Sequence, residues 1–170
     1  MSDAVKVAVQ VATSDEEVPP GAKWEAWVTA TLAGAARDVH LTGCLTLRLV
    51  GRNESQHLND MYRHRLGPTN VLAFAGAKSE LPDADDELGD LVICLPVVHD
   101  EAEAQGKSAL AHLAHLVVHG TLHLAGYDHD NEGAAARMEA LETKVMLDLG
   151  FPAPYESDDD HRIDDTLNQG

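Results

Sequence analysis

The stretch HLAHLVVHGTLHLAGYDH, residues 112–129, decides how the rest of the chain is interpreted. Ser108 precedes a run of helix formers that contains no proline, so the sequence predicts a serine-capped helix from about Ser108 to Leu124. The residues between its histidines are strongly apolar, which indicates a helix buried in the domain. Gly126 is placed to take the left-handed conformation that often ends a helix, so the chain can turn back after it.

Histidines recur along this helix at the spacing of one helical face. His115, His119 and His123 follow one another every fourth residue, and His112 lies three residues before the first. The turn after the helix would return His129 towards the last two of them. Three imidazoles with an open fourth position are typical of catalytic zinc, whereas structural zinc sites usually close with four ligands. A satisfied core histidine is the alternative for any one residue, but four on one face with a returning fifth favour a metal site.

Gly120 occupies a position that matters for the type of chemistry. Zinc peptidases with this histidine spacing carry a glutamate directly after the first histidine, where it acts as general base. With Gly120 there, the usual route of peptide hydrolysis loses its base. Zinc lowers the pKa of bound water from about 15.7 to about 7, so the ion can activate water without a carboxylate.

The length of 170 residues suits one domain with a sizeable core. Residues 1–155 are expected to form a single metallohydrolase domain, and residues 156–170 an acidic, disordered tail. The sequence shows no secretion signal and no apolar run near the roughly 18 residues of a membrane span, so the expected location is the cytoplasm. Cys44 and Cys94 stand alone, which favours free thiols in a reducing compartment.

The net charge of −17 disfavours a nucleic-acid partner, because phosphate binding normally needs an excess of lysine and arginine. The charges are unevenly distributed, however. Five of the 12 basic residues lie within residues 37–65, whereas six acids lie within residues 80–90 and six more within residues 156–165. A local basic surface on an acidic protein is therefore compatible with the sequence.

Hydrophobic periodicity predicts the order strand, helix, strand, helix, two strands and three helices. The strands are expected at residues 5–11, 45–49, 70–74 and 88–95, and the helices at residues 22–36, 54–62, 96–106, 108–124 and from Asn131 onward. Leu58 and Met61 are expected to face inward from the second helix. The predicted fold is a single α+β domain in which a mixed four-stranded sheet packs against helices, with a central, zincin-like metal helix that bears the histidines.

Four segments of the chain, read together, resemble the bacterial endoribonuclease YbeY family of zinc-dependent factors in ribosomal RNA maturation. They are LNDMYRHRLGPTNVLAF (58–74), LGDLVICL (88–95), HLAHLVVHGTLHLAGYDHD (112–130) and EALETKVMLDLG (139–150). The third segment is the most specific, because it combines the histidine spacing with Gly120 and a Gly-Tyr-Asp-His ending. These segments follow the order of the family and span more than half the chain.

The resemblance implies that His119, His123 and His129 hold one Zn²⁺ per chain and that Arg63 is the catalytic arginine of a Tyr-Arg motif. A guanidinium offers a fork of donors that matches phosphate oxygens, on which phosphodiester cleavage builds negative charge. The alternative for Arg63 is an exposed cation that stabilises the carbonyls at a helix end. Leu66 departs from the family pattern, which commonly has an acid before the Pro-Thr strand, so the Arg63 loop is expected to be held differently.

Three further residues have possible roles near this site. Arg65 is placed to help bind phosphate. His115, one turn before His119, is placed either to hydrogen-bond beside a metal ligand or to be a satisfied core histidine. Asp128 is placed to orient a ligand imidazole, although a turn residue needs no such function.

The resemblance implies a metal-dependent endoribonuclease that is specific for single strands and acts in ribosomal RNA 3′-end processing and small-subunit quality control. The implied partners are single-stranded ribosomal RNA, small-subunit ribosomal proteins and an assembly GTPase, without a membrane. Two alternatives stay open. One is another zinc hydrolase that acts on peptides or amides, and the other is a non-catalytic ribosome-assembly adaptor with structural zinc.

Overall fold

The computed structural model describes residues 5–14, 17–35, 43–63, 67, 69–76, 87–127 and 131–155. Within these ranges the chain forms one α+β domain whose elements follow the predicted order. They are β1 (Lys6–Val11), α1 (Trp24–Gly34), β2 (Cys44–Val50), α2 (Arg52–Arg63), β3 (Val71–Ala75), β4 (Glu87–Cys94), α3 (Leu95–Gln105), α4 (Ala109–Leu124) and α5 (Glu132–Asp148). The predicted fold class and element order are therefore confirmed.

The strands of the described residues form one mixed sheet with the order β1-β2-β4-β3. β1 runs parallel to β2 and β2 parallel to β4, whereas β3 runs antiparallel to β4. β4 is an inner strand, and its side chains enter cores on both faces of the sheet. Leu91 and Ile93 belong to the larger core, and Val92 and Cys94 to the smaller one. A strand segment that is covered on both faces has to be apolar, as residues Leu91–Cys94 of β4 are.

Helix α4 is the central helix of the larger core. It packs against α1, α3 and α5 as well as against β3 and β4. Every residue from His112 to Leu122 is buried. The predicted position of the histidine-bearing helix is thus observed, while its role as a metal helix stays a prediction.

Two predicted N-cap residues are observed at the starts of α4 and α5. Ser108 Oγ accepts a hydrogen bond from the backbone N–H of Ala111 at 3.0 Å, and so caps α4. Asn131 Oδ1 accepts one from the N–H of Ala134 at 2.8 Å and caps α5 in the same way. Gly126 has a φ of +100°, the positive value expected of the glycine after α4.

Gly120 allows α4 to approach the sheet closely. A Cβ atom at this position would lie 2.7 Å from Cδ2 of Leu91, and the side chain of Leu91 is fully buried. A glutamate has no room there. The absence of the peptidase base therefore has a packing reason that the sequence alone did not reveal.

One predicted core position is wrong. Met61 was expected to face inward, but half of its surface is exposed. The inward face of α2 instead carries the polar residues Ser55 and Asn59. They are needed there because Ser55 Oγ donates to the carbonyl of Thr69 and Asn59 Nδ2 to that of Gly67, which satisfies the backbone of the segment before β3.

Three remaining predictions concern the chain as a whole. Cys44 and Cys94 are free thiols, as predicted. Among the described residues, no helix is both long enough and apolar enough to cross a bilayer. The predicted tail, residues 156–170, lies outside the described residues, so the domain limits stay a prediction.

Candidate active site

The first histidine of α4 ties three elements together. His112 Nε2 lies 2.9 Å from Oε1 of Glu101 in α3, and the same oxygen accepts a hydrogen bond from Nδ2 of Asn70, just before β3. His112 is only 1% exposed. It is therefore a core histidine whose Nε2 is paired and whose buried Nδ1 has no hydrogen-bond partner among the described residues, close to the core alternative that the sequence left open for any single member of the row.

The next two histidines share one carboxylate. Glu142 of α5 places Oε1 at 2.5 Å from Nε2 of His115 and Oε2 at 2.9 Å from Nδ1 of His119. The hydroxyl of Tyr155 donates a further hydrogen bond to Oε1 at 2.7 Å. Glu142 is completely buried, and both histidines are at most 2% exposed. A buried acid of this kind is stable only with such partners.

The charges of this group follow from its burial and contacts. Burial alone would raise the pKa of Glu142, but the charge of His119 and the hydrogen bonds from His115 and His119 outweigh it and hold that pKa below its usual range. Burial also lowers the pKa of His115, against the hydrogen bond to Glu142. Glu142 is thus an ionised acceptor, so Nδ1 of His119 must donate. In the neutral imidazole the lone pair then lies on Nε2, the nitrogen that a metal would use.

His119 and His123 lie beside each other one helical turn apart. Their ring centroids are 4.8 Å apart. Two neighbouring imidazoles, one of them with its lone pair fixed on Nε2, are donors of the type that zinc prefers. The donor set on α4 therefore fits a metal ion as far as the described residues extend.

The third predicted ligand lies beyond those residues. His129 and Asp128 follow Tyr127, the last described residue before the gap at 128–130. Within the described part of the chain, no group of three or more His, Cys, Asp or Glu side chains is arranged to hold a metal ion. The three-histidine set stays a prediction, as does the role of Asp128.

Arg63 lies in the last turn of α2, and its guanidinium contacts strand β3. Nη2 donates to the carbonyl oxygen of Ala73 at 3.0 Å, and Cζ lies 5.5 Å from the ring centroid of Phe74. The ring of Tyr62 meets the same phenyl ring edge to face, with centroids 5.3 Å apart. Nε of Arg63 is buried and has no hydrogen-bond partner. The side chain is thus held by one hydrogen bond and one ring contact, and its buried Nε is an unsatisfied donor.

A short series of contacts connects Arg63 with the histidine helix. Ala73, which accepts the hydrogen bond from Arg63, pairs with Leu91 across β3 and β4. Leu91 packs in turn against Gly120, the neighbour of His119. Strands β3 and β4 therefore connect the two predicted parts of the site. Arg65 and Leu66 lie outside the described residues, so neither the second basic residue nor the effect of the departure at Leu66 is tested.

The sequence analysis did not identify Glu142 or Tyr155. A signal for Glu142 was present, because it lies four residues after Met138 and three before Val145, on the apolar face of α5. A carboxylate on an apolar helix face implies a buried partner. Its partners, however, lie 23 and 27 residues away in the sequence, and only the packing of α4 against α5 identifies them.

Comparison with known proteins gives a consistent result. A sequence model of the family described as Endoribonuclease YbeY matches residues 8–150. Proteins named Endoribonuclease YbeY are 44% identical to this chain in Coxiella burnetii, covering 89% of this chain and 99% of that protein, and 44% identical in Pseudomonas savastanoi, covering 95% and 96%. One from Burkholderia ambifaria is 50% identical and covers 76% of this chain and 69% of its own length.

A solved structure supports the architecture. The solution structure of a Thermotoga maritima protein matches with a TM-score of 0.54 and 20% sequence identity, covering 91% of this chain and 99% of that one. At this level of identity the similarity shows the fold alone.

Proposed function

The chain belongs to the endoribonuclease YbeY family, and from this premise we propose that it cleaves single-stranded RNA with the help of a zinc ion held by three histidines. Members of the family are endoribonucleases that process ribosomal RNA, so the chain is a hydrolase whose substrate class is RNA. The identity of the metal, the ligands and the catalytic arginine are the proposed parts.

The observation that carries the metal proposal is the carboxylate of Glu142 on Nδ1 of His119. It fixes the imidazole orientation and leaves the lone pair of Nε2 for a metal, the arrangement by which carboxylates support ligating histidines in zinc sites. We assign His119, His123 and His129 as the ligands. A zinc ion bound there would act as a Lewis acid towards a phosphoryl oxygen and lower the pKa of water.

Arg63 is proposed as the residue that contacts the scissile phosphate. Its Nη2 is anchored on Ala73 and its Cζ on the face of Phe74, which limits the freedom of the guanidinium. The residue as a whole is only partly buried, so it is not sealed from solvent. A preorganised donor of this kind stabilises the negative charge that develops on the phosphoryl oxygens. Arg65 is proposed as an accessory phosphate-binding residue, and His115 and Asp128 as residues that support the ligands.

Neither alternative function gains support from the structure. A peptidase of the usual type needs a carboxylate at position 120, where Leu91 leaves no room for a side chain. A purely structural metal would close its coordination with a fourth ligand. Family membership points to RNA cleavage rather than to an adaptor without activity.

We further propose a cytoplasmic protein that works with small-subunit ribosomal proteins and an assembly GTPase. The reason is electrostatic. With a net charge of −17, the chain has few basic residues with which to find RNA by itself, so ribosomal partners would direct it to its substrate. Residues 1–155 are proposed as the catalytic domain and residues 156–170 as an acidic tail.

The decisive experiment compares Arg63→Ala with Arg137→Ala, which removes an exposed arginine from α5. We expect both variants to fold and to contain one zinc per chain by elemental analysis. Cleavage of a single-stranded RNA should fall by about 100-fold or more in Arg63→Ala, as for loss of an oxyanion donor, and stay unchanged in Arg137→Ala.

Two further measurements test the metal. A chelator should abolish cleavage by the wild type, and added zinc should restore it. His119→Ala should lose both zinc and activity. Full activity of Arg63→Ala with normal zinc would contradict the assigned mechanism, and a wild type that cleaves no RNA would favour the adaptor.

A further inference from the structure

A cavity of about 580 Å³ lies apart from the proposed catalytic residues. It is formed by the end of α3, the first turns of α4 and the segment that follows α5. Its volume falls within the range of small-molecule sites. Neither Arg63, His119 nor His123 lines it; the lining residues that matter here are Gln105, Lys107, Ser108, His115, Met146 and Phe151.

Two hydrogen-bond acceptors in this cavity lack a partner. His115 is 1% exposed, and its Nε2 donates to the ionised carboxylate of Glu142, so Nδ1 carries the lone pair. This Nδ1 has no hydrogen-bond partner, and neither has the buried Oε1 of Gln105. Buried acceptors are rarely left unsatisfied in proteins. A ligand that supplies N–H or O–H donors would satisfy both.

Positive charge also lies in the lining of the cavity. Lys107 directly precedes the cap residue of α4, Ser108, and the N-terminus of a helix attracts anions. Lys107 Nζ also contacts the carbonyl of Pro154 at 3.3 Å, which holds the segment after α5 against α4. The charge of Lys107 contributes to lowering the pKa of His115, after the larger effect of burial, so the two side chains are near each other. The cavity thus places an anion-attracting group and acceptors that seek donors within the reach of one small molecule.

Much of the remaining lining is apolar. Met146, Phe151 and two prolines, Pro152 and Pro154, make up this part. The ring of Phe151 is held edge to face against Trp27, with centroids 6.0 Å apart. A fixed aromatic ring beside prolines offers a surface on which a flat heterocycle can stack.

We propose that this cavity binds a nucleotide, with the base N–H groups donating to His115 and Gln105 and the phosphate beside Lys107 and the N-terminus of α4. A nucleobase combines a flat apolar ring with donors at its edge, and its phosphate supplies the anion. Neither a free anion nor an uncharged apolar molecule would satisfy both the unpaired acceptors and the positive charge of the cavity.

Occupation of the cavity also bears on the catalytic residues. Glu142 joins His115 to His119 through its two oxygens. A ligand bound to Nδ1 of His115 is therefore connected to His119 through a single residue, Glu142, which hydrogen-bonds to both histidines. This consequence rests on the proposed function, whereas the binding site itself does not.

The test is isothermal titration calorimetry of the zinc-loaded protein with uridine 5′-monophosphate and adenosine 5′-monophosphate. Ala111→Phe fills the cavity from α4, and Ala104→Phe places the same side chain at an exposed position of α3 as the matched control. We expect Ala111→Phe to weaken nucleotide binding tenfold or more and Ala104→Phe to leave it unchanged. Arg63→Ala, outside the cavity, should also leave it unchanged.

A second variant tests the proposal in case Ala111→Phe does not fold. Gln105→Met keeps the shape of the side chain but removes the acceptor, so it should weaken nucleotide binding about fivefold, the effect of one lost hydrogen bond. Circular dichroism checks the fold of each variant. Inorganic phosphate, uridine and a 5′-phosphorylated RNA tetramer are titrated in parallel. If Ala111→Phe weakens binding of the tetramer, the occupant is a nucleotide of the RNA strand. If it weakens binding of the mononucleotides alone, the occupant is a free nucleotide.

Three results would overturn the proposal. One is no nucleotide binding to the wild type, and another is phosphate binding as tightly as the nucleotides. The third is binding that survives Ala111→Phe but is lost in Arg63→Ala, which would place the ligand at the catalytic residues. RNA cleavage is assayed separately, so an active enzyme without nucleotide binding removes this inference and leaves the proposed function intact.

Discussion

At the scale of single residues, Glu142 determines what the histidines of α4 can do. An isolated carboxylate in an apolar interior would be costly, and here three donors offset that cost: His115, His119 and the hydroxyl of Tyr155. The result is an imidazole on His119 with a fixed orientation and a fixed proton position. Glu142 therefore acts by positioning His119, the proposed metal ligand, rather than by touching substrate.

Glu142→Gln tests this role. The amide keeps the size of the side chain but loses the charge that fixes Nδ1 of His119 as a donor. We expect zinc affinity to fall roughly 10- to 100-fold, as for other residues that support metal ligands. Competition with a chromophoric chelator measures the affinity. Glu132→Gln, an exposed acid on the same helix, should leave it unchanged. Equal affinity in Glu142→Gln and the wild type would show that the carboxylate only fills space.

The positions of the histidines on one helix were predictable from the sequence, but the acid that each of them contacts was not. Spacing alone placed His112, His115, His119 and His123 on one helix, and the structure confirms that placement. Their partners, Glu101 and Glu142, come from α3 and α5, and no local pattern pairs a histidine with an acid 11 to 27 residues away. Such pairs are set by tertiary packing.

Burial of His115 predicts a dependence of stability on pH. Its pKa is lowered in the folded protein, so below about pH 6.5 the unfolded chain binds a proton that the folded chain does not. The free energy of unfolding should therefore fall with acidification below that pH, by up to about 1.4 kcal/mol per pH unit for this group. Thermal melts between pH 7.5 and 5.5, with chelator present, measure the effect.

The corresponding comparison uses two glutamine variants. His115→Gln should lose less stability on acidification than the wild type, since the group responsible is gone. His57→Gln, at an exposed position of α2, should behave like the wild type. If His115→Gln and the wild type respond equally to acid, the buried imidazole is not the source of the dependence.

At the scale of secondary-structure elements, the contact between α4 and the sheet is the feature that shapes the site. α4 meets β4 where Gly120 faces the side chain of Leu91. This close approach orients the helix that carries His119 and His123. It also separates the fold from zinc peptidases by occupying the space of their base.

Gly120→Ala measures how tight this contact is. Alanine favours a helix over glycine by about 1 kcal/mol, but its Cβ would lie 2.7 Å from a buried Leu91 carbon, and overpacking of this kind costs roughly 1–3 kcal/mol. We expect a net loss of stability in chemical denaturation. In a double-mutant cycle with Leu91→Ala, the two changes should compensate in part, since the second makes room for the first. Additive effects would mean that Leu91 does not set the approach.

The elements were predicted well because their signals are local. Alternating leucines, capping residues and apolar stripes each act within a few residues, so order and type followed from the sequence. The error at Met61 has a non-local cause. Ser55 and Asn59 face inward to satisfy the backbone at Thr69 and Gly67, and hydrophobicity does not encode that requirement.

At the scale of the whole molecule, the net charge of −17 governs how the protein meets its substrate. Long-range attraction to RNA is weak or absent for such a chain, so binding depends on short-range contacts at the site. Specific partners, rather than bulk charge, would then determine where it acts.

The dependence of RNA binding on salt tests this conclusion. Each phosphate contact contributes about −0.7 to the slope of log affinity against log salt for a single strand. With about three contacts we expect a slope no steeper than about −2. Arg63→Ala should reduce its magnitude by about 0.7, whereas Arg137→Ala should not change it. A slope several times steeper would reveal a basic surface that the charge distribution conceals.

The order of the elements along the chain has a consequence for biosynthesis. The last strand of the sheet ends at Cys94, whereas Glu142 follows 48 positions later, near the end of α5. Since synthesis runs from the N-terminus, the strands can pair on a nascent chain whose His119 still lacks its carboxylate partner. The histidine row thus gains its supporting acid late in synthesis, after the strands against which α4 packs have been made.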